Sequence, residues 1–331
     1  MFLWFVIIIL TLAVSGGIYQ AIATAQDKQT YPPPGQMVTV DGRRLHLRVT
    51  GEVTEYPTVI LEAGMASFSS NWYWVQTELS AMTRVVSYDR AGLGWSDPAP
   101  EVFDAYQSAR DLHTVLANAD IAAPYVVAGH SYGGLVVRAF TDLYPDEVVG
   151  MVLVDGSHPD QWAHMPASRN GRLNATTTKI TSLLARFGVV RLFDLSASVA
   201  EGLPEQPAAE MRAVLNQPQS WVTGAATLAL WPERTTLLIN QAHSLGDLPL
   251  AILGVTEQPF YSDVLTSLQA ELPSLSTNSI RTIVEGATHE NLVAKRENAL
   301  VVVTAVCQVL ESAQTGQSLA ILSHSVSDVV R

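Results

Sequence analysis

The run from Tyr125 to Phe140 constrains this chain more than any other. An apolar segment, Tyr125 to Ala128, enters Gly129-His130-Ser131-Tyr132-Gly133-Gly134, and Leu135 to Phe140 continue as a helix. A G-x-S-x-G run between a buried strand and a helix is a sharp strand-to-helix turn. Small residues at Gly129 and Gly133 let the two elements approach closely. The turn holds Ser131 in a strained backbone conformation at the N-terminus of a helix, whose dipole favours negative charge. A glycine-rich structural turn without chemistry is the competing reading, and the strand–helix context disfavours it.

The rest of the body alternates strand-like and helix-like runs. Met37 to Val40 and Arg44 to Val49 read as a hairpin about Asp41-Gly42. Strands are expected at Thr58 to Leu61, Thr83 to Tyr88, Tyr125 to Ala128, Val148 to Val154, Leu248 to Gly254 and Ser279 to Val284. Helices are expected at Tyr106 to Asn118, Gly133 to Leu143 and Ala299 to Ser312. Such alternation means an α/β fold, a mostly parallel sheet with helices on both faces. Between His158 and Asp247 the rhythm breaks. That interval holds Pro166, Pro204, Pro207, Pro218 and Pro232, a helix candidate at Ile180 to Leu192, and no clear strand. It reads as a helical cap, residues 158–245, inserted into a core of 37–157 and 246–312, with a polar tail at 313–331.

Ser131 is the candidate nucleophile, and a serine needs a base to remove its proton. Among the eight histidines, His289 follows the last strand, where the base stands in a Ser…acid…His chain order. His130 adjoins the nucleophile and is expected to point away from it. His46 falls in the first hairpin and His113 on the polar side of a helix. His158 and His164, with Asp160, match no trusted metal-ligand spacing and read as a solvated loop.

The imidazole needs an orienting acid. Asp155, directly after the Val148 to Val154 strand, is favoured. Glu257, after the next strand, competes with it, and a turn cap is the plain alternative role for Asp155. Backbone N–H groups for an oxyanion are expected from Tyr132 and from Met65, in Glu62-Ala63-Gly64-Met65. The loop Asp89-Arg90-Ala91-Gly92-Leu93-Gly94-Trp95-Ser96 reads as scaffold beneath the site, tied by charged hydrogen bonds. It lacks the Lys-Ser/Thr end of a phosphate loop. Trp72, Trp74, Trp162, Trp221, Trp231 and Phe260 are candidates to line a substrate pocket, with ordinary packing as the alternative for each.

Composition narrows the partners. A formal net charge of −12 without a Lys/Arg cluster argues against a nucleic-acid face. One cysteine, Cys307, excludes an intrachain disulfide and a cysteine-based zinc site, and it reads as a small core residue. No metal or organic cofactor is implied. The mean hydropathy of +0.19 is high for a chain of 331 residues, and much of the excess lies at the N-terminus.

Phe2 to Gln26 contains no Asp, Glu, Lys or Arg. About 20 apolar residues suffice to span the hydrocarbon of a bilayer. Residues 1–26 are therefore expected to form a single-pass membrane anchor. A signal peptide cut near Ala23-Thr24-Ala25, giving a secreted body, is the alternative. Tyr31-Pro32-Pro33-Pro34-Gly35 makes residues 27–36 a stiff spacer. Lys28, Arg43 and Arg44 lie after the segment and bias the body toward the cytoplasmic side only weakly.

These residues together resemble the α/β-hydrolase superfamily, and within it membrane-anchored or exported bacterial hydrolases with a Tyr-Pro-Pro-Pro-Gly spacer. The likeness rests on Tyr31 to Gly35, Glu62 to Gly64, Tyr88 to Ser96, Gly129 to Gly134, Val152 to His158 and Glu285 to His289. It implies Ser131 as nucleophile, His289 as base, and a cap over the pocket. Relatives that lack an Asp after the penultimate strand favour Asp155. Serine at the elbow, in place of Asp, argues against epoxide-hydrolase and haloalkane-dehalogenase chemistry. The expected activity is hydrolysis of a carboxylic ester through an acyl-enzyme, an apolar ester being the one that a membrane location suits. Amidase, lactonase and acyl-transfer chemistry use the same residues, and a non-catalytic membrane-tethered binding protein is the reading from another class.

Overall fold

A computed structural model describes residues 1–101, 103–165, 171–257 and 262–322, the side chains of 171–173, 257, 262 and 263 excepted. Pro166, Pro259, Phe260 and the tail beyond Leu322 lie outside the described residues. Eight strands form one sheet: β1 (Gln36–Val40), β2 (Arg43–Thr50), β3 (Thr58–Glu62), β4 (Val85–Tyr88), β5 (Tyr125–His130), β6 (Val148–Val154), β7 (Leu250–Glu257) and β8 (Ser279–Thr288). Their spatial order is β1-β2-β4-β3-β5-β6-β7-β8. The β1/β2 and β2/β4 pairs are antiparallel and all others parallel. Asp41 and Gly42, both at positive φ, make the turn between β1 and β2.

Period-two alternation sorts the strand side chains into two cores. Ile60, Val86, Val127, Met151, Leu153 and Ile252 face one side, where α3 (Ala105–Asn118) and α4 (Gly133–Leu143) add Leu112, Val115, Leu135 and Phe140. Val59, Leu61, Val126, Ala128, Val152 and Leu253 face the other. There α2 (Tyr73–Leu79) adds Val75 and Leu79, and α13 (Arg296–Thr315) adds Val302, Val306 and Leu310. Each fully buried Val, Leu or Ile contributes about 1.5–3 kcal/mol relative to exposure. Cys307 is only half-buried on the second face, its sulfur beside that of Met82. α12 (Asn291–Ala294) links β8 to α13.

Between β6 and β7 the described chain is helical: α5 (Gln161–His164), α6 (Gly171–Arg186), α7 (Val189–Leu192), α8 (Glu205–Leu215), α9 (Pro218–Leu230) and α10 (Thr236–Ile239). The expected single helix over Ile180 to Leu192 is broken. Gly188 takes φ 74°, which ends α6 and starts α7. Phe68 joins this layer to the body, packing with Met211, Val214 and Leu215. β4 starts at Val85 rather than Thr83, because the Thr83 N–H donates to Leu79 O at the end of α2 and its hydroxyl faces the Tyr56 and Pro57 carbonyls just before β3. β7 and β8 run farther than expected, to Glu257 and Thr288, and α11 (Ser262–Gln269) connects them. α1 (Phe2–Thr30) is a 29-residue helix that ends just before the prolines.

Candidate active site

Ser131 occupies the turn between β5 and α4 with φ 55°, the left-handed region that side chains other than glycine rarely adopt. Neighbouring backbone holds it there. Ser131 N donates to Val154 O at 3.1 Å, and its carbonyl accepts from Gly134 N at 2.9 Å and Ser157 N at 3.0 Å. The tight turn leaves no room for side chains beside it. A Cβ on Gly129 falls 2.5 Å from Gly133 O, and one on Gly133 falls 2.4 Å from Glu62 O.

Asp155 follows β6 immediately, at φ 42° and 2% exposed. Its Oδ2 lies 2.5 Å from His289 Nδ1, and its Oδ1 accepts from Gln269 Nε2 at 2.9 Å. Gln269 also donates to Gly156 O at 3.1 Å, so α11 braces the carboxylate. Burial alone raises a carboxyl pKa. The His289 hydrogen bond and charge, with Gln269, outweigh it here and hold Asp155 below its ordinary value. Burial likewise disfavours an imidazolium at His289, and Asp155 overcomes that, so the His289 pKa is raised. The Glu257 side chain, its rival in the sequence, lies outside the described residues.

His289 follows β8 directly, on a loop cinched by two reciprocal bonds: Thr288 N to Asn291 Oδ1 and Asn291 N to Thr288 Oγ1. His130 Nε2 lies 2.9 Å from the His289 carbonyl oxygen, so that nitrogen carries the proton and donates. Burial, then the nearby charge of His289, pushes the His130 pKa down to about 3. His130 therefore stays neutral and positions the His289 loop. The expectation for His130 concerned only its direction relative to Ser131 and did not foresee a partner on the β8 loop. Its ring stands 4.6 Å from the His289 ring, because the turn at Ser131 directs the preceding side chain toward the β8 loop.

The loop after β3 is a tight turn closed by Ser67 N to Gly64 O, with Ala66 at φ 56°. Arg90 controls its carbonyls. Its guanidinium pairs with buried Glu62 and donates to the carbonyl oxygens of Ala63 and Gly64. The Gly64 Cα faces Ser131: a Cβ there falls 3.2 Å from Ser131 Cβ. Among the described residues, neither the Met65 nor the Tyr132 backbone N–H donates to a protein acceptor. Asp89 fixes the next loop, accepting from Ser69 N, Trp95 N and His46 Nδ1. The scaffold reading of Asp89 to Ser96 omitted this direct hold of Arg90 on the Ala63–Gly64 loop. The paired charges, Glu62 and Arg90, were its available signal.

The other candidates have structural partners. His46 is buried against Asp89, and His113 stacks on Tyr144 at 3.9 Å. His164 contacts the Asp160 carbonyl oxygen, and no group of three potential metal ligands forms among the described residues. Trp72 is fully buried beside His130, and Trp231 packs between Tyr132 and Trp162. Trp74 donates to Gly202 O and Trp221 to Leu215 O. A cavity of about 170 Å³ lies beneath α9, lined among others by Tyr88, Arg90, Phe103, Tyr132, Val222 and Thr223, and neither Ser131 nor His289 is among its lining residues.

The family model for the alpha/beta hydrolase family matches residues 59–303, most of the chain. The chain belongs to the alpha/beta hydrolase family. Solved alpha/beta hydrolases align over nearly all of their lengths. A thermophilic esterase from Thermogutta terrifontis aligns at TM-score 0.61 and 20% identity, over 85% of this chain and 99% of its own. A putative lipase from Acinetobacter baumannii aligns at 0.65 and 19%, over 90% and 97%. The epoxide hydrolase CorEH aligns at 0.65 and 20%, over 84% and 98%. At these identities the likeness is one of fold.

Among curated relatives, the Bacillus subtilis protein YqjL is 29% identical over 117 residues, 35% of this chain and 46% of its own. The putative carbamate hydrolase RutD of Cronobacter turicensis is 33% identical over 101 residues, 30% and 38%. The probable transporter efuK of Hormonema carpetanum is 32% identical over 136 residues, 39% and 20%. The matched segments thus span less than half the length of these relatives.

Proposed function

We propose that this alpha/beta hydrolase cleaves a carboxylic ester through an acyl-enzyme, with Ser131 as nucleophile, His289 as general base and Asp155 as the orienting acid. One observation carries the reading: the 2.5 Å contact of Asp155 Oδ2 with His289 Nδ1, on the loop that His130 draws toward the strained Ser131 turn. Asp155 fixes the ring with Nδ1 protonated, leaving Nε2 to take the Ser131 proton as Oγ attacks the ester carbonyl. The developing oxyanion is held by the N–H groups of Met65 and Tyr132. His289 then passes the proton to the departing alcohol. Water repeats the sequence on the acyl-enzyme and releases the acid, with His289 again as base. A serine at the elbow supports acyl transfer over chemistry that requires a carboxylate nucleophile.

In the same reading α1 is a retained membrane anchor. Its 18-residue apolar window has a mean hydropathy of 2.3 and no part buried in the protein. Its C-terminal half is bound to the body: Gln20 Nε2 donates to Asn216 O at 2.9 Å, and Asp27 pairs with Arg191 at 2.6 Å. Such contacts support a segment that stays with the folded chain.

Fluorophosphonate labelling of the full chain tests the chemistry. Rapid labelling mapped to Ser131, and abolished in Ser131→Ala and His289→Ala, is expected. A folded parent that takes up no probe would sink the catalytic reading and favour a binding protein.

A further inference from the structure

We infer that α6 and α7 form a lipid-docking face that rests in the same bilayer leaflet surface as α1. The inference builds on α1 as a membrane anchor and adds a second point of membrane contact.

The first observation is a mismatch of lengths. The contacts of α1 with the body include Gly16 and Tyr19. A Cβ on Gly16 falls 2.4 Å from Phe187 O, and one on Gly188 falls 2.8 Å from the Tyr19 ring. Only Phe2 to Ser15 precede that contact, and at ~1.5 Å per residue they reach about 21 Å. The hydrocarbon layer is about 30 Å thick and needs roughly 20 helical residues. A crossing that starts at Phe2 thus ends near Ala21, beyond the contact with the Phe187–Gly188 corner. Tilting α1 moves that boundary still farther along the helix. The corner between α6 and α7 then lies at the level of the outer acyl chains.

The second observation is what this corner presents. Ile180, Leu183, Leu184 and Phe187 recur at helical spacing and are all exposed, while Ala175, Ser182 and Ala185 form the buried face of α6. Leu192 and Phe193 extend the apolar face, at 71% and 67% exposure. Burying that face in water-free surroundings is favourable, and an interfacial helix sinks its apolar face about 5–10 Å into the headgroup–acyl boundary.

The third observation is charge. In a chain of net charge −12, residues 171–193 hold no Asp or Glu and carry Arg172, Lys179, Arg186 and Arg191. Lys179 and Arg186 are exposed beside the apolar face of α6, and such cations suit anionic lipid headgroups. Arg191 also pairs with Asp27 of α1, which ties the face to the anchor. The occupant that fits is therefore the surface of an anionic bilayer.

The test uses the full chain carrying Cys307→Ser, with single cysteines placed by Leu10→Cys, Leu183→Cys, Phe193→Cys or Val53→Cys. Val53 is 71% exposed and lies in the loop between β2 and β3, at the opposite end of the sheet. Each cysteine carries an environment-sensitive dye in phosphatidylcholine–phosphatidylglycerol vesicles containing nitroxide-labelled lipid. Expected is strong quenching at positions 10, 183 and 193, several-fold above position 53. Quenching at 10 alone would overturn the docking face and leave the anchor standing. A blue-shifted but unquenched dye at 193 would mean a protein covers the face and would overturn it equally. Absence of quenching at 10 would remove the anchor itself.

Discussion

Asp155 and His289 meet at 2.5 Å although β7 separates their strands. The left-handed backbone at Asp155 turns its carboxylate across the end of β7 toward the loop after β8. Asp155→Asn is expected to lower kcat by roughly 10³–10⁴-fold, because the ring loses both its correct tautomer and its counter-charge. Glu257→Gln is expected to stay within about threefold of the parent, since the proposal gives the acid role to Asp155. Steady-state hydrolysis of a p-nitrophenyl ester reads both, and the reverse result would transfer the acid role to Glu257.

The same pair sets the pH dependence. In the proposed mechanism His289 acts as base only when neutral, and Asp155 raises its pKa above the ordinary 6.5. The acid limb of kcat/KM is therefore expected above pH 6.5 in the parent. Removing the carboxylate leaves burial, which favours the neutral ring, so the limb moves to lower pH in Asp155→Asn. His130, at about 3, adds no limb in the neutral range. Initial rates across pH at limiting substrate check the direction.

Arg90 joins stability to the loop proposed to hold the oxyanion. Arg90→Met strands the buried Glu62 carboxylate, and breaking a buried pair costs about 3–5 kcal/mol. It also frees the Ala63 and Gly64 carbonyls, so kcat is expected to fall about 10–100-fold while KM changes little. Replacing both partners, as Glu62→Leu with Arg90→Met, is expected to recover much of the melting temperature and none of the kcat. Thermal unfolding beside kinetics separates the two effects.

Gly133→Ala brings a methyl group within 2.4 Å of Glu62 O and 2.7 Å of Ala63 O. Both atoms are backbone, so the oxyanion loop must shift. A stability loss of about 1–3 kcal/mol is expected, as for other overpacked sites, together with loss of fluorophosphonate labelling. Full labelling of the variant would show that the loop tolerates displacement.

Retention of α1 is expected to leave the chain in the membrane pellet after alkaline carbonate, with peptides from before Ala23 still present in the mature protein. A mature N-terminus just after Ala25 would identify α1 as a cleaved signal.

Much of this architecture was legible in the sequence because its signals are local. The run Val148 to Val154 reads as a buried strand from its apolar residues alone. Ser131 follows from five consecutive residues in a strand–helix context. Helix and strand ends were harder, as at Thr83 and Gly188, because hydrogen bonds to distant chain and a single backbone dihedral set them. The partner of His130 was hidden for the same reason: the His289 carbonyl is 159 residues away in the chain.

By itself the sequence determined the α/β layering, the serine turn and the last-strand histidine, since strand period, glycine positions and chain order are encoded in short segments. The choice of Asp155 as the carboxylate beside His289 was left to tertiary structure, as were the grip of Arg90 on the Ala63–Gly64 loop and the seating of α1 against the Phe187–Gly188 corner. The first two depend on side-chain direction after a strand end, where a turn of the backbone moves a charged group by several ångströms, and the third on close backbone approach between helices distant in the chain. Interactions between charges and hydrogen-bonding groups fall away over such distances, and only the packed fold sets them.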